Sequence, residues 1–89
     1  MSAKEGVMYR TVEIGDKVTI RSWKSMENEW GLDELGDICI PLFFTRNMAY
    51  LCKSEAEIVN KRPWLEELTL RGIYYNISPQ MLVGEYKVR

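Results

Sequence analysis

The segment Gly15-Asp-Lys-Val-Thr-Ile-Arg-Ser-Trp23 decides how the rest of the chain is read. Gly15-Asp16 is a turn pair, and Lys17 to Trp23 then alternates polar and apolar residues, the period-two signature of a half-buried strand. Val12, Ile14, Val18 and Ile20 share one parity on either side of the turn. One face of this strand therefore belongs to a core. Upstream, residues 1–6 read as a frayed start, with strand-like patterning from Val7.

Beyond the strand the pattern changes character. Glu27, Glu29, Asp33, Glu34 and Asp37 fall in one stretch without a Lys or Arg. Ser25 is placed to cap a short helix, Met26 to Trp30, and Gly31 to end it by adopting a left-handed backbone at no steric cost. Leu32 to Asp37 reads as a loop. Ile38 to Phe44 is apolar, but Pro41 lacks the amide that a central strand needs. Thr45 is a second N-cap candidate, with Met48, Leu51 and Cys52 then on one helical face. The whole excursion, residues 24–53, is too long for an ordinary hairpin loop unless it is functional.

Strand patterning returns at Ala56 and Ile58. Leu68 to Leu70 and Ile73 to Ile77 flank a reversal at Gly72, and Arg62-Pro63-Trp64 marks the turn before them. Ser78-Pro79 opens a single 3-10 turn, and Val83 to Val88 is a short closing edge strand. The expected core is Val18, Ile20, Ala56, Ile58, Leu68, Leu70, Ile73, Tyr75 and Ile77.

Eighty-nine residues at net charge −1 make one domain, 1–89, and 46% hydrophobic against 28% charged residues argues against disorder. No apolar run is long enough to cross a bilayer or to act as a signal segment, so a cytoplasmic protein without membrane contact is expected. There is no histidine, and Cys39 and Cys52 stand thirteen positions apart. The usual zinc patterns, the Cys-His pair and the Ser-His-Asp triad are thereby excluded. Both cysteines sit among apolar neighbours and read as buried, reduced thiols. Scattered basic residues give no stripe of the kind that general nucleic-acid binding uses.

A strand, a long decorated loop, three short strands, a 3-10 turn and a closing strand is the order of an SH3-like β-barrel. The expected fold is mainly β, a small barrel of about five strands whose long loop carries two short helices. At the residue level, Ile14-Gly-Asp-Lys-Val-Thr-Ile-Arg-Ser-Trp23, Trp30-Gly-Leu-Asp33, Gly36-Asp-Ile38, Phe44-Thr45, Met48, Leu51-Cys52, Ile77-Ser78 and Met81-Leu82 resemble a family of small uncharacterised bacteriophage and prophage proteins of Gram-positive bacteria. The family pattern has Gly after the Leu-Cys pair where this chain has Lys53-Ser54, and Lys61 to Leu70 departs from it. The resemblance implies a fold and a viral context. It supplies no catalytic or ligand-binding set.

Candidate contact residues follow from charge and parity. The acidic set is either a solvated loop or a surface for a basic partner. Asp33-Glu34-Leu-Gly-Asp37 is too irregular for a calcium-binding ladder, and paired catalytic carboxylates need a rigid cleft. No catalytic, metal or cofactor site is expected. Trp30 shares a helical face with Met26, which favours packing over contact. Trp23, opposite in parity to Val18 and Ile20, is expected to leave the core. Trp64 is either a lid or an exposed anchor, and Tyr74 points away from Ile73, Tyr75 and Ile77. The functional expectation is a non-catalytic protein that binds and modulates a host protein with a basic surface, such as a nucleic-acid-handling or defence complex. Glu27, Glu29, Trp30, Asp33, Glu34, Asp37, Trp64 and Tyr74 are its expected contacts. The alternatives are a nucleic-acid-binding barrel that stacks bases on Trp64 beside Lys61 and Arg62, and a virion or assembly component.

Overall fold

The turn at Glu13–Asp16 forms as expected: Glu13 N donates to Asp16 Oδ2 (2.9 Å) and Asp16 N to Glu13 O (3.0 Å). The computed structural model describes residues 8–40 and 42–89, so the readings of residues 1–7 and of Pro41 lie outside the described residues. Strand β1 (Arg10–Thr11) precedes this turn and β2 (Lys17–Thr19) follows it. The turn breaks the parity between them, leaving Val12 buried and Ile14 59% exposed.

β2 is shorter than its alternation suggests, because the chain has a competing local solution. Ser22, not Ser25, is the N-cap: its Oγ accepts from Ser25 N at 3.1 Å, and helix α1 (Trp23–Trp30) begins directly. Gly31 ends α1 with φ +78° and donates to Glu27 O at 2.8 Å. Its ψ of 177° is extended, not left-handed helical. A 3-10 turn, Arg46–Leu51, supplies the second helical piece. Thr45 stands at its N-cap without a side-chain bond, and Asp37 Oδ1 instead takes the Arg46 amide at 2.9 Å.

β3 (Glu55–Arg62) and β4 (Glu67–Leu70) form an antiparallel arm around a turn at Pro63–Leu65, and β2 pairs antiparallel with β3. A 3-10 turn at Pro79–Met81 leads to β5 (Tyr86–Lys87), which pairs parallel with β1.

These pairings overturn the five-strand SH3-like barrel. Among the described residues the chain forms a mixed α/β fold with two separate sheets, β2-β3-β4 and β1-β5, and no ladder joins them into a closed barrel. Two segments that a barrel would need as strands contribute single bridges only, Leu68↔Ile77 and Ile20↔Leu82. Pro79 has no amide to donate, and the 3-10 turn it opens diverts the chain before a longer ladder can form. The expected strand Ile73 to Ile77 is thus reduced to one paired residue.

The core expectation fares better. Val18, Ile20, Ile58, Leu68, Leu70 and Ile77 are buried, while Ala56, Ile73 and Tyr75 pack half-buried against them. The excursion is the correction. Met26, Ile38, Ile40, Phe44, Met48 and Leu51 are six of the fifteen core residues buried among the described residues, so 24–53 completes the core instead of decorating it. Trp23 also joins it, its ring 6.1 Å from that of Phe44 and tilted by 55°.

Candidate functional site

A well-formed concavity lies between α1, the Pro79–Met81 turn and β5. A cavity of about 590 Å³ is lined by Tyr9, Arg21, Ser25, Glu29, Trp30, Lys53, Gln80 and Tyr86, among others. A second, of about 340 Å³, shares Tyr9, Pro79, Gln80 and Tyr86 with it and extends to Glu66, Lys87 and Arg89. The two adjoin at these shared residues and are together termed the trough, with Tyr9, Trp30 and Tyr86 as its aromatic lining.

Arg21 fixes its geometry. The guanidinium donates from Nε and Nη2 to Ser25 Oγ (3.0 and 2.7 Å), from Nη2 to Ser25 O (3.1 Å) and from Nη1 to Gln80 O (3.2 Å). Its Nη1 also lies 2.8 Å from Glu29 Oε1. One side chain thereby ties α1 to the 79–81 turn, as the planar, many-donor guanidinium is suited to do. In the wall behind, Trp30 Nε1 and Gln80 Oε1 are shut away from solvent without a hydrogen-bond partner. Each such atom is unfavourable by about 1–3 kcal/mol.

Two backbone features shape the trough further. A Cβ on Gly84 would stand 3.0 Å from Tyr86 Cε2, so the Tyr86 ring reaches close to the bare Gly84 backbone. Lys53 holds φ +69°, a conformation that favours glycine, directly after the residue that ends the 3-10 turn. Lys87 Nζ sits 5.0 Å from the centre of the Tyr9 ring, a cation–π contact.

Only two of the residues singled out from sequence, Glu29 and Trp30, line this trough. Asp33 and Asp37 organise their own loop: Asp33 Oδ1 accepts from Leu35 N (2.8 Å) and Asp37 N (3.0 Å), and Asp37 caps the next turn. Glu34 is exposed and Glu27 half-buried on α1. Trp64 is 76% exposed at the β3–β4 turn and Tyr74 is 95% exposed, the solvent-facing placement its parity indicated. Lys61 and Arg62 are not solvated loop charges. Lys61 Nζ reaches Val12 O (3.1 Å) and Glu13 Oε1 (3.3 Å), while Arg62 binds Glu67 Oε1 (3.1 Å), Thr69 Oγ1 (2.9 Å) and Asn76 Oδ1 (3.2 Å).

Tyr9, Arg21, Gln80 and Tyr86 were missed because they lie far apart in sequence and each reads as ordinary strand or turn. The signal that was present is the Gly84-x-Tyr86 spacing, which seats a ring on a bare backbone. Cys39 and Cys52 are free thiols but not buried: Cys39 is exposed and Cys52 half-buried. Burial raises the Cys52 thiol pKa, against the lowering effect of main-chain hydrogen bonds and the Lys53 charge. Among the described residues, no cluster of three His, Cys, Asp or Glu could hold a metal, and no helix is long and apolar enough to cross a membrane. No protein-family model matches this chain, and no curated protein or solved structure matches it either.

Proposed function

We propose that the chain is a non-catalytic binding protein that modulates or inhibits a partner protein through the trough between α1 and β5. One observation carries the reading: two cavities adjoin at Tyr9, Pro79, Gln80 and Tyr86, so that two tyrosines border both. Concave, largely apolar sites with a few placed polar groups are where proteins hold ligands, and aromatic residues contribute most strongly to such contacts. The trough is preferred to the acidic set because Asp33 and Asp37 hold their loop together and Glu29 is bonded to Arg21. The phage-like residues between Ile14 and Leu82 support a host protein as the partner and an infected cell's cytoplasm as the setting.

The test is kinetic, on a partner captured by the native protein. Tyr86→Ala should speed dissociation by about tenfold or more, since lost contacts act mainly on the off-rate. Tyr74→Ala, outside the trough, should leave it unchanged. A large effect of Tyr74→Ala with none from Tyr86→Ala would move the contact to another surface. Steeply salt-dependent binding of single-stranded DNA or RNA, abolished by Tyr86→Ala, would replace the protein partner with a nucleic acid.

A further inference from the structure

We propose that the trough is filled by strand addition: an extended, acidic segment of the partner protein pairs its main chain with the outer edge of β5. The inference rests on the trough being the binding site. On its inner side, β5 is paired through Glu85 O and Lys87 O, which accept from Arg10 N and Val12 N at 3.0 Å each. Main-chain groups of a strand point alternately to its two sides, so the Tyr86 amide and carbonyl turn away from β1. Among the described residues β1 is the only strand that pairs with β5, no isolated bridge involves Tyr86, and Tyr86 borders both cavities. An unpaired edge is a template for another chain, and main-chain pairing with pockets for alternate side chains is a recurring mode of peptide recognition. A two-stranded sheet also gains most from a third strand, because two strands alone are marginal.

Charge selects the segment. Around the trough Lys53, Lys87 and Arg89 have no carboxylate partner among the described residues, and Glu66 and Glu85 stand on the acidic side. Glu29 is already bonded to Arg21. An incoming strand bearing carboxylates meets complementary charge at the Lys87 and Arg89 end of the groove, and one bearing lysines does not.

The probe is a short blocked peptide alternating Glu and Val, titrated into isotope-labelled protein and followed by NMR. The Tyr86 and Val88 amides should shift, and hydrogen exchange at Tyr86 should slow by about tenfold or more as its N–H gains a partner. N-methylation of all valines, or separately of all glutamates, removes half of the peptide's donors. At least one of these peptides should bind about tenfold or more weakly, and a Lys-Val peptide should also bind more weakly. Binding of both N-methylated peptides as tightly as the unmethylated one would overturn strand addition while leaving the trough as a binding site. So would shifts confined to the Trp30 and Tyr9 rings. Absence of any response to the Glu-Val peptide would also overturn it, with the fate of the trough decided separately by the Tyr86→Ala kinetics. A concentration-dependent dimer whose Tyr86 amide is protected would replace the partner strand with a second copy of the chain.

Discussion

The β3–β4 arm and the 24–53 segment solve the same packing problem by different means. The arm is regular: Ile58 faces Leu70, Lys61 faces Leu68, and a register shift between Ile58 and Asn60 is its one irregularity. Its backbone groups satisfy one another, and its side chains sort by alternation. The 24–53 segment has one α-helix and one 3-10 turn, joined by a loop that Asp33 and Asp37 hold through three side-chain acceptor bonds. Yet this irregular segment buries Phe44, Ile38 and Met26 completely, as deeply as the arm buries Ile58 and Leu68. Regular backbone pairing and contribution to the core are separate properties. Stability follows the apolar surface removed from water, however the chain that carries it is shaped.

The sharpest way to break that comparison is a matched pair of cavities. Phe44→Ala should destabilise by about 3–5 kcal/mol and Ile58→Ala by about 2–5 kcal/mol in urea unfolding, since both side chains are fully buried. A midpoint unmoved by Phe44→Ala would return the 24–53 segment to the status of an appendage. Losses of this size threaten a small domain, so both variants should be measured at low temperature as well.

A smaller effect separates the acidic residues from one another. Asp37→Ala removes the acceptor from the Arg46 amide and should cost about 0.5–2 kcal/mol, the range for a lost helix cap. Glu34→Gln, on an exposed side chain, should stay within about 0.5 kcal/mol. Equal effects of the two in the same unfolding assay would show that charge, not capping geometry, is what the loop uses.

The smallest expected effect contrasts the two thiols of this segment. Exposed Cys39 should be alkylated before half-buried Cys52 in the native protein, as read by mass spectrometry. Burial holds the Cys52 pKa above its ordinary 9.0. A raised folded-state value contributes stability that is fully present below the unfolded-state pKa and is lost as pH climbs through the folded one. Cys52→Ala should therefore flatten the decline of stability on the alkaline side of pH 9.0. An unchanged alkaline slope would show that the thiol is as accessible to water in the fold as in the unfolded chain.

Sequence alone determined what depends on near neighbours. The Glu13–Asp16 turn, the reversal at Gly72, the Pro63 and Pro79 turns and the inward faces of β3 and β4 were legible because turn chemistry and period-two alternation act over a few residues. The exposure of Tyr74 was legible for the same reason. What sequence could not decide was how long each strand persists. Ser22 rather than Ser25 caps α1, and with that choice β2 ends at Thr19 and Trp23 is brought against Phe44. Only the tertiary structure decided that β1 and β5, at opposite ends of the chain, pair in parallel and bring Tyr9 and Tyr86 to one groove. Joining segments so distant has a loop-closure cost that no local pattern records, and it is repaid only when the whole core, with residues from 24–53 included, assembles together.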